Sequence, residues 1–267
     1  MRLWAMSDVF DVRRFLRLFA GTLFQSRKRW LATLASTYFG LVCMAIAIYG
    51  VVGISKAESD SMYIGFVIFT VVYFSAAASS AFAHLSKRGS RISFLMLPAS
   101  NLEKYIVRLL HFTIVLGAVF VIAVVLMELT RWFVAYSFDY RVSHNFNDVL
   151  SYFKSFTADT FVFGKDRMSI NVSFALLFWL HSLFFLGSAL WRKFAASKTA
   201  TAIIAVVLAL IITGNSGGSA FLSGWIKGMV VGGNACTLQI AANILLAVWI
   251  IANYAMAYVK FTRIQIK

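Results

Sequence analysis

The sequence predicts an all-α polytopic membrane protein: six transmembrane helices, an N-terminal amphipathic interfacial helix, and both termini in the cytoplasm. Three observations lead there. The first is composition. Hydrophobic residues make up 61% and charged residues 13%, with a mean hydropathy of +0.81, whereas soluble domains hold roughly 45–50% apolar and 25% charged residues. A soluble core cannot hide that much apolar surface, so the solvent is lipid. The second is a set of uncharged stretches near the roughly 20 residues that a spanning helix needs. The third is the placing of basic residues between those stretches. No segment has the composition of a soluble domain, so residues 1–267 read as one membrane domain.

The first element is residues 7–25. Val12, Phe15, Leu16, Phe19 and Leu23 fall at i, i+3, i+4, i+7 and i+11, one helical face. Arg13, Arg14 and Arg17 lie largely off that face, so the helix is expected in the bilayer interface with its arginines on anionic headgroups. A plain basic anchor is the alternative. Arg27, Lys28, Arg29 and Trp30 then mark the water boundary.

Spans are expected at about 30–54, 62–85, 109–127, 170–191, 199–213 and 238–259. The first is too long for the h-region of a cleavable signal, and no A-x-A site follows it. The fifth stops where Gly-Asn-Ser-Gly-Gly follows Thr213. Residues 214–237 are too apolar for an ordinary external loop and too glycine-rich for a plain helix. They read as a re-entrant or interfacial hairpin, or as a partly ordered loop. The external segment 131–169 carries eleven aromatics. Within it, Asn147 to Phe156 suits a short helix resting on the outer leaflet, serving as an exit lid or partner surface, or simply as interface anchors.

Orientation follows from charge. With the N-terminus inside, residues 1–29, 86–108, 192–198 and 260–267 carry 18 of the 25 Lys and Arg but only three acids, Asp8, Asp11 and Glu103. The seven remaining bases face seven acids, so the whole formal charge of +15 sits on one side. Membrane orientation accounts for the basic excess, and no nucleic-acid-reading motif accompanies it. Cys43 and Cys236 show no CxxC spacing and read as packing residues, with no metal site.

The loop at 86–108 is the most shaped. Pro98, the only proline, ends any short helix formed by Ile92, Leu95 and Met96. Ser100 stands three residues before Glu103, a capping box that starts a helix running through Lys104 and Arg108 into the third span. The result is an elbow with an apolar patch, which a capped helix entry alone would also explain.

The run Phe94-Leu-Met-Leu-Pro-Ala-Ser-Asn-Leu-Glu-Lys-Tyr, the opening Phe10-Asp-Val-Arg-Arg-Phe-Leu and the closing Ala257-Tyr-Val-Lys-Phe-Thr-Arg-Ile-Gln resemble permease subunits of bacterial type-2 ABC exporters. More narrowly, they are similar to permease-like membrane proteins of Bacteroidetes-type bacteria. The motifs are short, but the six-helix layout covers the whole chain. The resemblance implies a multi-pass protein of the bacterial inner membrane, a homodimer or a heterodimer with a related permease, docked on a separate ABC ATPase subunit. It gives residues 7–25 the role of connecting helix and 86–104 the role of coupling loop, with Arg91, Phe94, Leu97, Pro98, Ser100, Glu103 and Lys104 as docking positions. No cofactor is implied. One departure is the 39-residue external segment between the third and fourth spans, since family members place their large elaboration between the fifth and sixth. It leaves the substrate path open.

Polar residues within spans are functional candidates because lipid makes them costly. Here they are His181 in the fourth, Glu128 at the outer end of the third, and Asn243 and Asn253 in the sixth. The two asparagines read as hydrogen-bonding glue between helices or subunits, and Glu128 as the partner of Arg131 at i+3. His181 could protonate or bind metal, or be satisfied locally.

The chain lacks G-x-x-x-x-G-K-[ST] and H-E-x-x-H, so ATP hydrolysis is expected only in a partner and no enzyme activity of its own is predicted. Two other readings compete with the permease. One is a non-transporting membrane scaffold or assembly protein, which the scarcity of intramembrane charge favours. The other is a redox protein using His84, His111 and His181 on haem, although they offer no clear axial pair on facing helices.

Overall fold

The computed structural model describes residues 10–52, 60–86, 88–137, 162–163, 166–167, 171–191, 193–213 and 235–266. These are helical, apart from turns and one antiparallel pairing of β1 (Val162–Phe163) with β2 (Asp166–Arg167). The helices are α1 (Val12–Gln25), α2 (Arg27–Val52), α3 (Asp60–Ser79), α4 (Arg88–Leu95), α5 (Asn101–Leu110), α6 (Leu116–Ser137), α7 (Asn171–Leu190), α8 (Ala195–Thr213) and α9 (Ala235–Ile266). A 3-10 turn at Ala83–Ser86 follows α3, and a π turn at His111–Val115 joins α5 to α6.

Among the described residues, four helical stretches are long and apolar enough to cross a membrane: Arg27–Ile48, Gly65–Leu85, Asn101–Val134 and Ile244–Arg263. Two shorter apolar helices, Leu177–Leu190 and Ala195–Ala209, fall where the fourth and fifth spans are expected. The protein is therefore a helical membrane protein. The expected Asn147–Phe156 helix lies outside the described residues, as do 7–9, 53–54, 214–234 and most of the external segment.

The chain forms two compact units. The first contains residues 1–77 and 91–156. Its core is Leu41 of α2, Phe66 of α3, and Phe120, Ala123, Val124 and Met127 of α6. Phe120 is the centre, with the rings of Phe66, Phe69, Tyr73 and Phe74 at 5.9, 6.4, 5.0 and 5.6 Å. Tilted and offset rings at such distances add attraction beyond area burial. The Tyr73 hydroxyl donates to the Leu116 carbonyl at 2.9 Å, just past the π turn. Widening the helix there changes which carbonyls find an intrahelical donor, and Tyr73 supplies one from α3.

The third span was expected to end near residue 127, with an external segment from 131. The helix instead continues to Ser137. Nothing between Glu128 and Ser137 breaks it, and two local pairs extend it: Arg131 Nε donates to Glu128 at 2.8 Å, and Trp132 stacks on Tyr136 at 5.9 Å.

The second unit contains residues 78–90 and 157–267. Phe82, just after α3, places its ring 5.2 Å from both Phe185 of α7 and Phe261 of α9. The α7–α8 contact is tight at Gly187, where a Cβ would collide with the Thr199 hydroxyl. Small residues allow this close approach in helical membrane bundles.

Candidate functional site

The elbow begins where α4 ends at Leu95, three residues before Pro98. Ser100 then caps α5. Its hydroxyl accepts from the Glu103 amide at 3.2 Å, and the Glu103 carboxylate accepts from the Ser100 amide at 2.9 Å, completing the expected capping box.

Glu103 does more than cap. Arg14 of α1 grips the same carboxylate with two nitrogens, Nε to Oε2 and Nη2 to Oε1, each at 2.8 Å. The Asp11 amide, at the N-cap of α1, donates to Oε1 at 2.8 Å. One carboxylate therefore fastens the first turn of α1 to the first turn of α5. Bidentate guanidinium–carboxylate pairs of this kind are strong and geometrically selective.

Glu103 is fully buried. The helix from Asn101 to Val134 is 34 residues long, about 51 Å at 1.5 Å per residue against a hydrocarbon core of about 30 Å. Its charged first turn thus stands outside the apolar span. Burial pushes the Glu103 pKa up, but Arg14 and the amides of Asp11 and Ser100 outweigh it and leave the carboxyl below its ordinary value. The hydrogen bond to Glu103 leads the causes that raise the Arg14 pKa.

The positions expected to dock a partner divide by exposure. Phe94, Ser100, Glu103 and Lys104 are buried within the first unit. The Phe94 ring lies under two cations, Lys104 Nζ at 5.7 Å and the Arg108 guanidinium carbon at 5.3 Å. These residues shape the elbow because the cap and the ion pair draw them inward. On the surface are Leu97 and Pro98, with Arg91 half-buried. Ile92 and Met96 extend that surface, Met96 being 80% exposed. On α1, Arg13 and Arg17 are exposed, while Arg14 is committed to Glu103. Of its apolar face, Val12 and Leu16 are exposed and Phe15, Phe19 and Leu23 half-buried.

A second polar group lies in the other unit. Nδ1 of His181, on α7, is 2.8 Å from the Tyr254 hydroxyl of α9. Asn253 Nδ2 donates to Ser182 Oγ at 2.9 Å, giving the α7–α9 packing two adjacent polar cross-links. His181, Ser182 and Asn253 are all buried. Glu128 is buried and paired with Arg131 as its spacing implied. The side chain of Asn243 lies outside the described residues. Among the described residues no group of three or more His, Cys, Asp or Glu is placed to hold a metal ion.

The Arg14–Glu103 pair joins residues 89 apart in sequence, and no local pattern announces it. Tyr254 and Ser182 were also missed; each adjoins a residue singled out for polarity, which is the only sequence signal they carry. Together the fold and this geometry define a helical membrane protein whose amphipathic N-terminal helix is clamped to the base of a spanning-length helix. No protein-family model, curated protein or solved structure matches the chain.

Proposed function

We propose that the chain is the permease subunit of an ABC-type exporter, with six spans, cytoplasmic termini and a separate ATPase subunit docked at the elbow. The observation that carries this reading is the Glu103 clamp. It makes α1, the Pro98 elbow and the first turn of the α5–α6 helix one mechanical piece, so a push on the elbow is delivered to a span. The exposed apolar residues Ile92, Met96 and Leu97, beside Pro98, supply a surface for that push. ATP-driven closure of the partner would move the elbow as a lever and rock the helices between inward-open and outward-open states, the alternating-access scheme common to transporters. Residues 7–25 and 86–104 take the connecting and coupling roles that the resemblance assigns, and the bacterial inner membrane is the expected location.

The test is purification in mild detergent with the co-purifying proteins identified, a P-loop ATPase being expected among them. The reading expects the two to co-purify, and Met96→Glu with Leu97→Asp to abolish recovery of the ATPase while leaving the permease inserted. Recovery of the protein alone, or undiminished ATPase binding by that surface variant, would overturn it. The scaffold reading draws on the scarcity of charge in the spans and is separated by an export assay, because a scaffold binds partners without moving a substrate.

A further inference from the structure

The charges around the elbow do not balance. Arg14, Lys104 and Arg108 gather at the start of α5, and Arg29 of α2 is close enough to repel Arg108. Among the described residues the acids beside them are Asp11, whose charge reaches Arg14, and Glu103, whose two oxygens are taken up by Arg14 and by the Asp11 and Ser100 amides. Arg108 is half-buried, and among the described residues its guanidinium contacts the Phe94 ring with no acceptor for its N–H groups. One turn further along the same helix, His111 Nδ1 and Thr113 Oγ1 are buried without a hydrogen-bond partner. A partly buried cation near a like charge, with no acceptor among the described residues, is costly unless an anion completes it.

Membrane geometry says what that anion is. Arg29 and Arg108 both stand near the N-terminal ends of spanning-length helices, Arg27–Ile48 and Asn101–Val134. This is the depth of lipid headgroups, where basic pockets between helices hold phosphates. Guanidinium forks match phosphate oxygens bidentately, and Phe94 holds Arg108 and Lys104 on one platform beneath them.

We infer that Lys104 and Arg108, set over Phe94, form with the nearby Arg29 a site for a phosphate group, supplied by an anionic phospholipid headgroup or by free phosphate. The site depends on the membrane setting and not on the transport reading.

The experiment uses full-length protein exchanged into mixed micelles with equal phosphatidylglycerol and phosphatidylcholine, with retained lipid read by native mass spectrometry. Phosphatidylglycerol should be retained in preference, and Arg108→Gln or Arg29→Gln should each lower that retention about fivefold. Lys260→Gln, an exposed cation on α9, should leave it unchanged. Arg29 is exposed, so its variant keeps the test decisive if Arg108→Gln folds poorly. A second arm adds inorganic phosphate in neutral detergent. Saturable protection of the wild type against heat, lost in Arg29→Gln, together with no preference between the lipids, assigns the site to free phosphate. Equal lipid retention by wild type and both variants, with no protection by phosphate, overturns the inference.

Discussion

Glu103 shows how much one side chain can hold. Its carboxylate caps α5, receives Arg14 and takes the Asp11 amide at the N-cap of α1. Glu103→Ala strands those part-buried donors and is expected to cost about 2 kcal/mol, read as faster hydrogen exchange across residues 12–25. Ser100→Ala removes only the cap oxygen and should cost about 1 kcal/mol, leaving exchange in α1 near the wild-type rate. The pH dependence has a definite sign. A carboxyl with a lowered folded pKa stabilises fully above its unfolded value of about 4.3, and loses that contribution as pH falls through the folded value. Docking of α1 should therefore be constant from about pH 5 to 8 and fail only in stronger acid, which exchange at 12–25 would also report. The capping half of this arrangement was legible in Ser100-x-x-Glu103. The Arg14 half was not, because a bidentate pair across 89 residues depends on the path of the chain between them.

Element against element, the second unit relies on close approach and on polar cross-links. Gly187→Ala would force a methyl into the Thr199 hydroxyl, with an expected cost of about 1–3 kcal/mol. Thr199→Ala in the same chain should recover part of it, since the hydroxyl is the nearest atom; thermal unfolding in detergent reads both. Asn253→Leu breaks the bond to Ser182 and is expected to cost about 1 kcal/mol. The smaller figure reflects that membrane-unfolded helices also find polar partners. Sequence marked His181 and Asn253 as polar residues in apolar helices but named neither partner, because α7 and α9 are apolar nearly all round and no stripe says which side meets which.

The whole molecule carries its charge asymmetrically, 18 of 25 bases falling in the four segments assigned to one side. The proposed six-span topology predicts that reporter fusions after residues 29, 90, 195 and 267 read as cytoplasmic, while one at 150 reads as external. A cytoplasmic signal at 150 would remove the third span from the count. Four long apolar helices stand directly in the described residues. The helix at the fifth crossing, Ala195–Ala209, is shorter than these four, so topology is best measured there first.

By itself the sequence determined the solvent, the long apolar helices and the cap of α5. These are local or additive properties: apolar content selects lipid, uncharged length selects spans, and Ser100 with Glu103 starts α5 whatever lies nearby. Tertiary structure alone decided that Glu103 holds Arg14, that Phe120 gathers four rings, and that Tyr254 meets His181. It also left Arg108, among the described residues, without a carboxylate partner. The reason is physical. In lipid a helix face that packs on protein is about as apolar as one that meets acyl chains, so patterning cannot distinguish them, and only the folded chain shows which polar groups are completed and which still want a partner.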